Sequence, residues 1–227
     1  MKPPRSLRSL PPEGARPALG AARQPADLAF DLHADTAHLR ETQVEQVDAW
    51  RGAFLDVRRD RVAMPDGAHA EREYIVHPGA VMVVPLLGDD RVVVERQWRY
   101  PMQRAMLEFP AGKLEPGEPV LECAVRELAE ETGYRAREWA RAGVLHNAIS
   151  YSTEVIEVWF ARGLEAGERK LDVGEFLDVF DLSIAEIDAG AQRGEITDAK
   201  TLVGLLWLAN WRAGRWPLQW ETLGAPP

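Results

Sequence analysis

The amino-acid sequence predicts an α+β fold in which helices cover a mixed β-sheet. Two observations carry that expectation. Residues 80–87 and 92–98 include short runs rich in Val and Leu, bounded by turn residues, as core strands are. Between Pro119 and Thr132 the spacing changes. Leu121, Ala124, Val125, Leu128 and Thr132 recur at the three- and four-residue intervals of a core-facing helix. With 227 residues and 46% hydrophobic content, the chain suits one sizeable domain plus a small appendage.

The leading segment is different in kind. Lys2, Arg5, Arg8, Arg16 and Arg23 face a single acid, Glu13, among Pro3, Pro4, Pro11, Pro12, Pro17 and Pro25. Such a composition buries too little apolar surface to offset the entropy of ordering, so residues 1–40 are expected to form a disordered tail. The formal net charge is −9 although the tail is basic, which argues against a general nucleic-acid binder. No apolar run reaches the roughly 18 residues of a membrane span. A secretory signal, with its apolar stretch of roughly 7–15 residues, is not expected either. The single Cys123 excludes an internal disulfide framework and reads as a small buried hydrophobe, so the reducing cytoplasm is the expected compartment.

After the tail, residues 41–48 suggest a short helix. Phe54 to Val62 alternates weakly and ends at the turn signal Met64-Pro65-Asp66-Gly67, and Glu71 to Val76 resumes extended character. Residues 50–76 therefore read as a small β-hairpin unit. The two core strands are joined by Gly88-Asp89-Asp90. Leu107 to Ala111 is a further short strand leading into a loop with Gly112, Pro116 and Gly117. Glu118 and Pro119 suit the start of the helix, and Gly133 suits the position that closes it. Val155–Phe160 and Glu175–Phe180 read as strands. Ser183–Arg193 and Thr197–Trp211 read as helices, the second capped by Thr197 or Asp198. Trp207, Trp211, Trp216 and Trp220 are expected in core or subunit-interface packing.

The stretch RELAEETG, Arg126 to Gly133, poses an electrostatic problem. With Arg126 at zero on a helical wheel of about 100° per residue, Glu127, Glu130 and Glu131 fall at about 100°, 40° and 140°. They share a face beside the apolar stripe, where like charges repel by roughly 0.2–0.5 kcal/mol per pair. A hard divalent cation such as Mg²⁺ takes oxygen ligands and turns that repulsion into attraction. The glycine-bearing loop before the helix lets backbone carbonyls approach the same ion.

The wider frame is more specific. Gly112, five residues, Glu118, seven residues, Arg126-Glu127-Leu128, one residue, Glu130-Glu131, one residue, Gly133-Tyr134 resembles the Nudix box at every fixed position. The resemblance implies a Nudix-type α/β/α sandwich, and hydrolysis of nucleoside diphosphates linked to another moiety. Residue by residue, Glu127 and Glu131 match the principal metal ligands and Glu130 an additional one. The Ala111 carbonyl matches a backbone ligand. Arg126 and Glu118 match a salt-bridged pair that orients helix and loop, and Gly112 and Gly133 match the structural glycines.

Flanking segments resemble the branch that hydrolyses ADP-ribose and nucleotide-sugars. Glu108-Phe109-Pro110-Ala111-Gly112-Lys113 is similar to its lead-in, and Gln97-Trp98-Arg99-Tyr100-Pro101 to the element whose arginine contacts the diphosphate. A planar guanidinium suits that task. Gly174-Glu175-Phe176 resembles a strand start whose glutamate serves as general base or orients water, with Glu168 and Asp172 in reserve. The resemblance thus implies Glu127, Glu131 and Glu175 as catalytic residues and Arg99, Glu108 and Glu154 as substrate-binding ones. Residues 146–154 lack the proline found there in many ADP-ribose hydrolases. Gly194 to Thr201 also recurs in the branch, and is read here as a helix cap. The organisation implied is a tail at 1–40, a β subdomain for dimerisation at 41–78, a Nudix domain at 79–213 and an extension at 214–227. The expected activity is Mg²⁺-dependent cleavage of ADP-ribose to AMP and ribose 5-phosphate by a homodimer, with Mn²⁺ as a substitute ion. The alternatives are another nucleotide-sugar, such as GDP-mannose or UDP-glucose, or a non-catalytic ligand-binding domain. Neither nucleic acid nor membrane is an expected partner.

Overall fold

The computed structural model describes residues 35–223. The disordered-tail expectation therefore falls, up to residue 34, outside the described residues. Met1–Arg40 and Glu41–Pro227 form separate units. Within the first, Ala37–Leu39 make a single 3-10 turn.

The second unit begins with three antiparallel strands, β1 (Thr42–Arg51), β2 (Asp56–Ala63) and β3 (His69–Val76). The helix expected over residues 41–48 is instead most of β1. Register shifts between Gln43 and Glu45 and between Gln46 and Asp48 break the two-residue alternation that identifies a strand. The turn after β2 forms as expected, with the Gly67 N–H donating to the Met64 carbonyl at 2.9 Å.

A larger sheet follows. Its strands are β4 (Ala80–Leu87), β5 (Arg91–Arg99), β6 (Arg104–Glu108), β7 (Ala111–Lys113), β8 (Tyr134–Leu145), β9 (Ile156–Ala166), β10 (Leu177–Ser183) and β11 (Glu221–Thr222). They lie in the order β10-β5-β4-β9-β8-β11, with β6 on β5 and β7 on β4. The β4–β9 pair is parallel and its neighbours are antiparallel, so the sheet is mixed. Strand β8 was not expected from the sequence. Arg135, Arg137, Glu138 and Arg141 leave it little apolar alternation, so the sequence assigned it no element, and a bulge at Arg141/Gly143 disturbs its period further.

Strand β4 is buried on both faces, which explains its unbroken apolar run. Ala80, Met82, Val84 and Leu86 enter a core with Ile187 of α2 (Ile184–Gln192) and Leu208 of α3 (Ala199–Arg212). Val81 and Val83 enter a second core with Cys123, Ala124 and Leu128 of α1 (Val120–Thr132). One helix on one face and two on the other make the expected sandwich. Ser183 starts α2 with a reciprocal capping box to Glu186, and Asp198 starts α3 by accepting from the Thr201 N–H. Gly133 closes α1 with φ 77°, a left-handed conformation that favours glycine. Among the described residues no helix is long and apolar enough to cross a membrane.

Candidate active site

Helix α1 delivers its acids onto β7, which β4 holds in place through the pairs Met82–Ala111 and Val81–Gly112. Glu131 is 4% exposed, and its Oε2 accepts the Ala111 N–H at 3.1 Å. One turn earlier, Glu127 lies against Gly112 so closely that a Cβ there would stand 1.8 Å from the Glu127 carboxyl carbon. The glycine is a space requirement. Arg126 then binds three carboxylates and a backbone carbonyl. It donates to both Glu118 oxygens at 2.8 and 3.0 Å, to Glu127 Oε1 at 2.8 Å, to Glu130 Oε2 at 3.0 Å and to the Lys113 carbonyl at 3.2 Å. The expected Arg126–Glu118 bridge is present, and the arginine also quiets two of the three clustered glutamates.

These contacts sort the carboxyls electrostatically. Arg126 holds Glu118 down to about 2. Burial raises Glu127 despite its arginine. Burial raises Glu131 strongly, and the charges of Glu95, Glu127 and Glu175 add to the effect.

A second wall comes from β5, β6 and α3. Arg99 grips Glu108 with two bonds of 2.6 and 2.8 Å, and Lys200 of α3 binds the same carboxylate as well as Asp198 at 3.0 Å. Glu108 is 2% exposed, so its contacts are these two cations. Opposite Glu108 in the β5–β6 register lies Glu95, wholly buried, with no basic side chain bonded to it and its carboxyl beside that of Glu131. Burial, with Glu108 adding, pushes it up. Sequence reasoning missed Glu95 and Lys200. An acid terminating the run Val92-Val93-Val94 was the available signal for the first. Lys200 was hidden in a segment read only as a helix cap.

Glu175 stands just before β10, in a turn where its N–H donates to the Asp172 carbonyl at 3.1 Å. Glu154 lies 3.6 Å from His77 Nε2. Ala111, Glu127, Glu131, Arg99, Glu108, Glu154 and Glu175 all line one cleft of about 860 Å³, within the size range of small-molecule sites. Glu130, turned to Arg126, and Glu168 are not among its lining residues.

The donor set suits a hard divalent cation: carboxylates, a backbone carbonyl, and an uncompensated buried acid behind them. Among the described residues no three acidic, imidazole or thiol side chains already converge as a metal cage. Glu127 and Glu130 face Arg126, and Glu131 faces the Ala111 N–H.

Comparison with known proteins agrees with this geometry. Residues 76–202 match the NUDIX domain family. A protein of Bacillus subtilis (strain 168), "ADP-ribose pyrophosphatase", is 32% identical over 172 residues, covering 75% of this chain and 93% of its own. A Bacillus methanolicus protein, "Methanol dehydrogenase activator", is 32% identical over 170 residues, covering 74% and 92%. A solved structure, "Crystal structure of ADP compounds hydrolase", superposes with a TM-score of 0.66 at 25% identity, covering 78% and 94%.

Proposed function

The chain belongs to the NUDIX family, and from that premise we propose that it hydrolyses ADP-ribose to AMP and ribose 5-phosphate. Two relatives of nearly equal similarity carry different names, so the names alone do not carry the reading. The observation that carries it is the single cleft in which Glu127, Glu131, Ala111, Arg99 and Glu175 meet. That set holds what diphosphate hydrolysis needs: a cation-binding carboxylate face, a guanidinium for phosphate oxygens and a carboxylate for water.

A divalent ion, Mg²⁺ or Mn²⁺, held by Glu127, Glu130, Glu131 and the Ala111 carbonyl would supply positive charge to the diphosphate. Arg126 braces helix against loop through Glu118. Arg99, itself held by Glu108 through Nε and Nη2, has Nη1 left to donate to a phosphate oxygen. Glu175 orients the attacking water and takes its proton. One water is consumed, and the P–O bond of the diphosphate breaks. A homodimer through the β1–β3 sheet suits the exposed Val44 and Trp50 on β1. A reducing compartment suits Cys123, which is free, buried and pushed up to about 12, hence unreactive.

The test is a product-release assay with Mg²⁺ across ADP-ribose, NADH, GDP-mannose and UDP-glucose. ADP-ribose is expected to have the highest kcat/KM. Glu131→Gln is expected to abolish turnover while keeping the fold; full activity in that variant overturns the reading.

A further inference from the structure

We infer that Arg104 and Thr197 form a second anion subsite in the cleft, which takes a phosphate monoester carried on a ribose of the substrate in addition to its diphosphate. The assignment rests on the reading under Proposed function and narrows its substrate class. Arg104 opens β6, and its Nη2 donates to Thr197 Oγ1 at 2.7 Å, just ahead of α3. Both residues line the cleft that holds Glu127 and Glu131. Among the described residues Arg104 makes no ion pair, whereas Arg99 and Lys200 share Glu108. The acids flanking Thr197 are engaged elsewhere. Asp198 binds Lys200 at 3.0 Å and caps Thr201, and Glu195 binds Arg193.

The backbone puts this charge in an unfavourable place. Arg104 stands directly opposite Arg99 in the β5–β6 ladder. Like charges in that relation repel, and only Arg99 receives a carboxylate. The turn joining the two strands closes through the Gln103 N–H on the Tyr100 carbonyl at 3.1 Å, with Gln103 at φ 51°. Among the described residues Gln103 is the sole non-glycine in the left-handed region, a strain that gathers at ligand clamps. The residue it leads into is Arg104.

The chemistry of the pair names its ligand. A guanidinium only donates, and Thr197 Oγ1, having accepted from Arg104, keeps its own proton to give. An ionised phosphate oxygen accepts from both and offsets the charge; a sugar hydroxyl leaves that charge uncompensated. The diphosphate itself belongs elsewhere. Arg104 opens β6 and Glu108 closes it, so at about 3.3 Å per residue their backbones stand roughly 13 Å apart. Glu108 is the end that adjoins Glu95 and, through it, Glu131. Arg99 folds back toward that end, while Arg104 reaches across to α3. Helix α3 follows β6 along this length, with the Phe109 N–H on Thr201 Oγ1 at 3.0 Å at the inner end. A phosphate on Arg104 is thus set off from the ion face by a sugar ring, for which Met102 and Met106 line the cleft.

Calorimetry in Mg²⁺ tests the subsite with compounds that have no diphosphate to cleave. AMP is compared with adenosine 2′,5′-bisphosphate, and ribose 5-phosphate with ribose 1,5-bisphosphate, on wild type, Arg104→Gln and Arg104→Lys. One bisphosphate is expected to bind wild type roughly 10- to 100-fold tighter than its monophosphate, the scale of hydrogen bonds to a charged group. The pair of compounds that shows the gain identifies the ribose. Arg104→Gln is expected to abolish the gain, and Arg104→Lys, which keeps the charge without the fork, to retain part of it. No gain for either bisphosphate overturns the subsite. So does a gain that survives in Arg104→Gln while its melting temperature falls, since Arg104 is then only a tether between β6 and α3. A protein that cleaves no nucleotide-sugar yet shows the Arg104-dependent gain overturns the proposed reaction and keeps the subsite. One that cleaves ADP-ribose and shows no gain keeps the reaction and overturns the subsite.

Discussion

Gly112→Ala isolates the geometry of the acidic face from its chemistry. The new methyl would stand 1.8 Å from the Glu127 carboxyl carbon and 1.9 and 2.4 Å from its oxygens. Ordinary carbon contacts need about 3.5 Å, so the carboxylate must retreat by about 1.7 Å. The three nearest atoms all belong to the end of one flexible side chain, so the backbone of β7 has no reason to move. The retreat breaks the 2.8 Å bond to Arg126, which also holds Glu118 and Glu130 and keeps the helix braced. The stability cost is therefore about one hydrogen bond to a charged group, roughly 1.5–3 kcal/mol. The activity cost is larger, because misplacement by about 1 Å in a catalytic constellation costs on the order of 100-fold. The assay is AMP release from ADP-ribose with Mg²⁺, beside a thermal melt. A folded variant with activity within fivefold of wild type refutes the claim that Gly112 exists to seat Glu127.

Other expectations follow from the charges. Glu118 is held at about 2, below its ordinary 4.5, so its stabilisation is complete above pH 4.5 and lost as pH falls toward 2. The difference in Tm between wild type and Glu118→Gln should accordingly shrink to nothing across that window, and a constant difference counts against the bridge. Glu95→Val continues the run of Val92 to Val94 and removes a buried acid crowded against Glu108 and Glu131. In EDTA its Tm should rise, by the several degrees that roughly 1–3 kcal/mol implies for a domain of this size; a fall shows that Glu95 has a partner. Glu131→Gln should likewise raise the metal-free Tm even as it removes turnover, a stability gained at the site's expense. Differential melting with and without Mg²⁺ reads both effects.

What the sequence made legible was whatever depended on one period or one fixed spacing. The apolar stripe of α1, the strand β4 and the box from Gly112 to Gly133 were all read correctly from local pattern. The losses occurred where two strands meet. Strand β1 hides its alternation behind bulges, and β8 is so rich in charged residues that only its pairing with β9 identifies it. The site shows the same division. Glu127 and Glu131 announce themselves by position on one helix. Lys200 and Glu95 acquire meaning only when α3 and β5 converge on Glu108, a contact of 92 residues' separation in one case. Glu108, expected against substrate, is enclosed by Arg99 and Lys200, so any effect on the diphosphate passes through the arginine it orients.

That enclosure also explains why the cleft can hold so many acids. Three cations of the cleft are already committed to acids: Arg126 to Glu118, Glu127 and Glu130, and Arg99 and Lys200 to Glu108. Glu131 and Glu95 are left without a basic side chain of their own. A salt bridge to either would lower its energy and, at the same stroke, remove the attraction for a divalent ion. The fold instead gives Glu131 one backbone N–H and buries it, which fixes the carboxylate without neutralising it. The instability that results is local, because α1 is anchored on its other face by Cys123, Ala124 and Leu128 in the second core. Charge crowding on RELAEETG is thus arranged in two grades: Arg126 partly compensates Glu127 and Glu130, and Glu131, the innermost, has no basic partner.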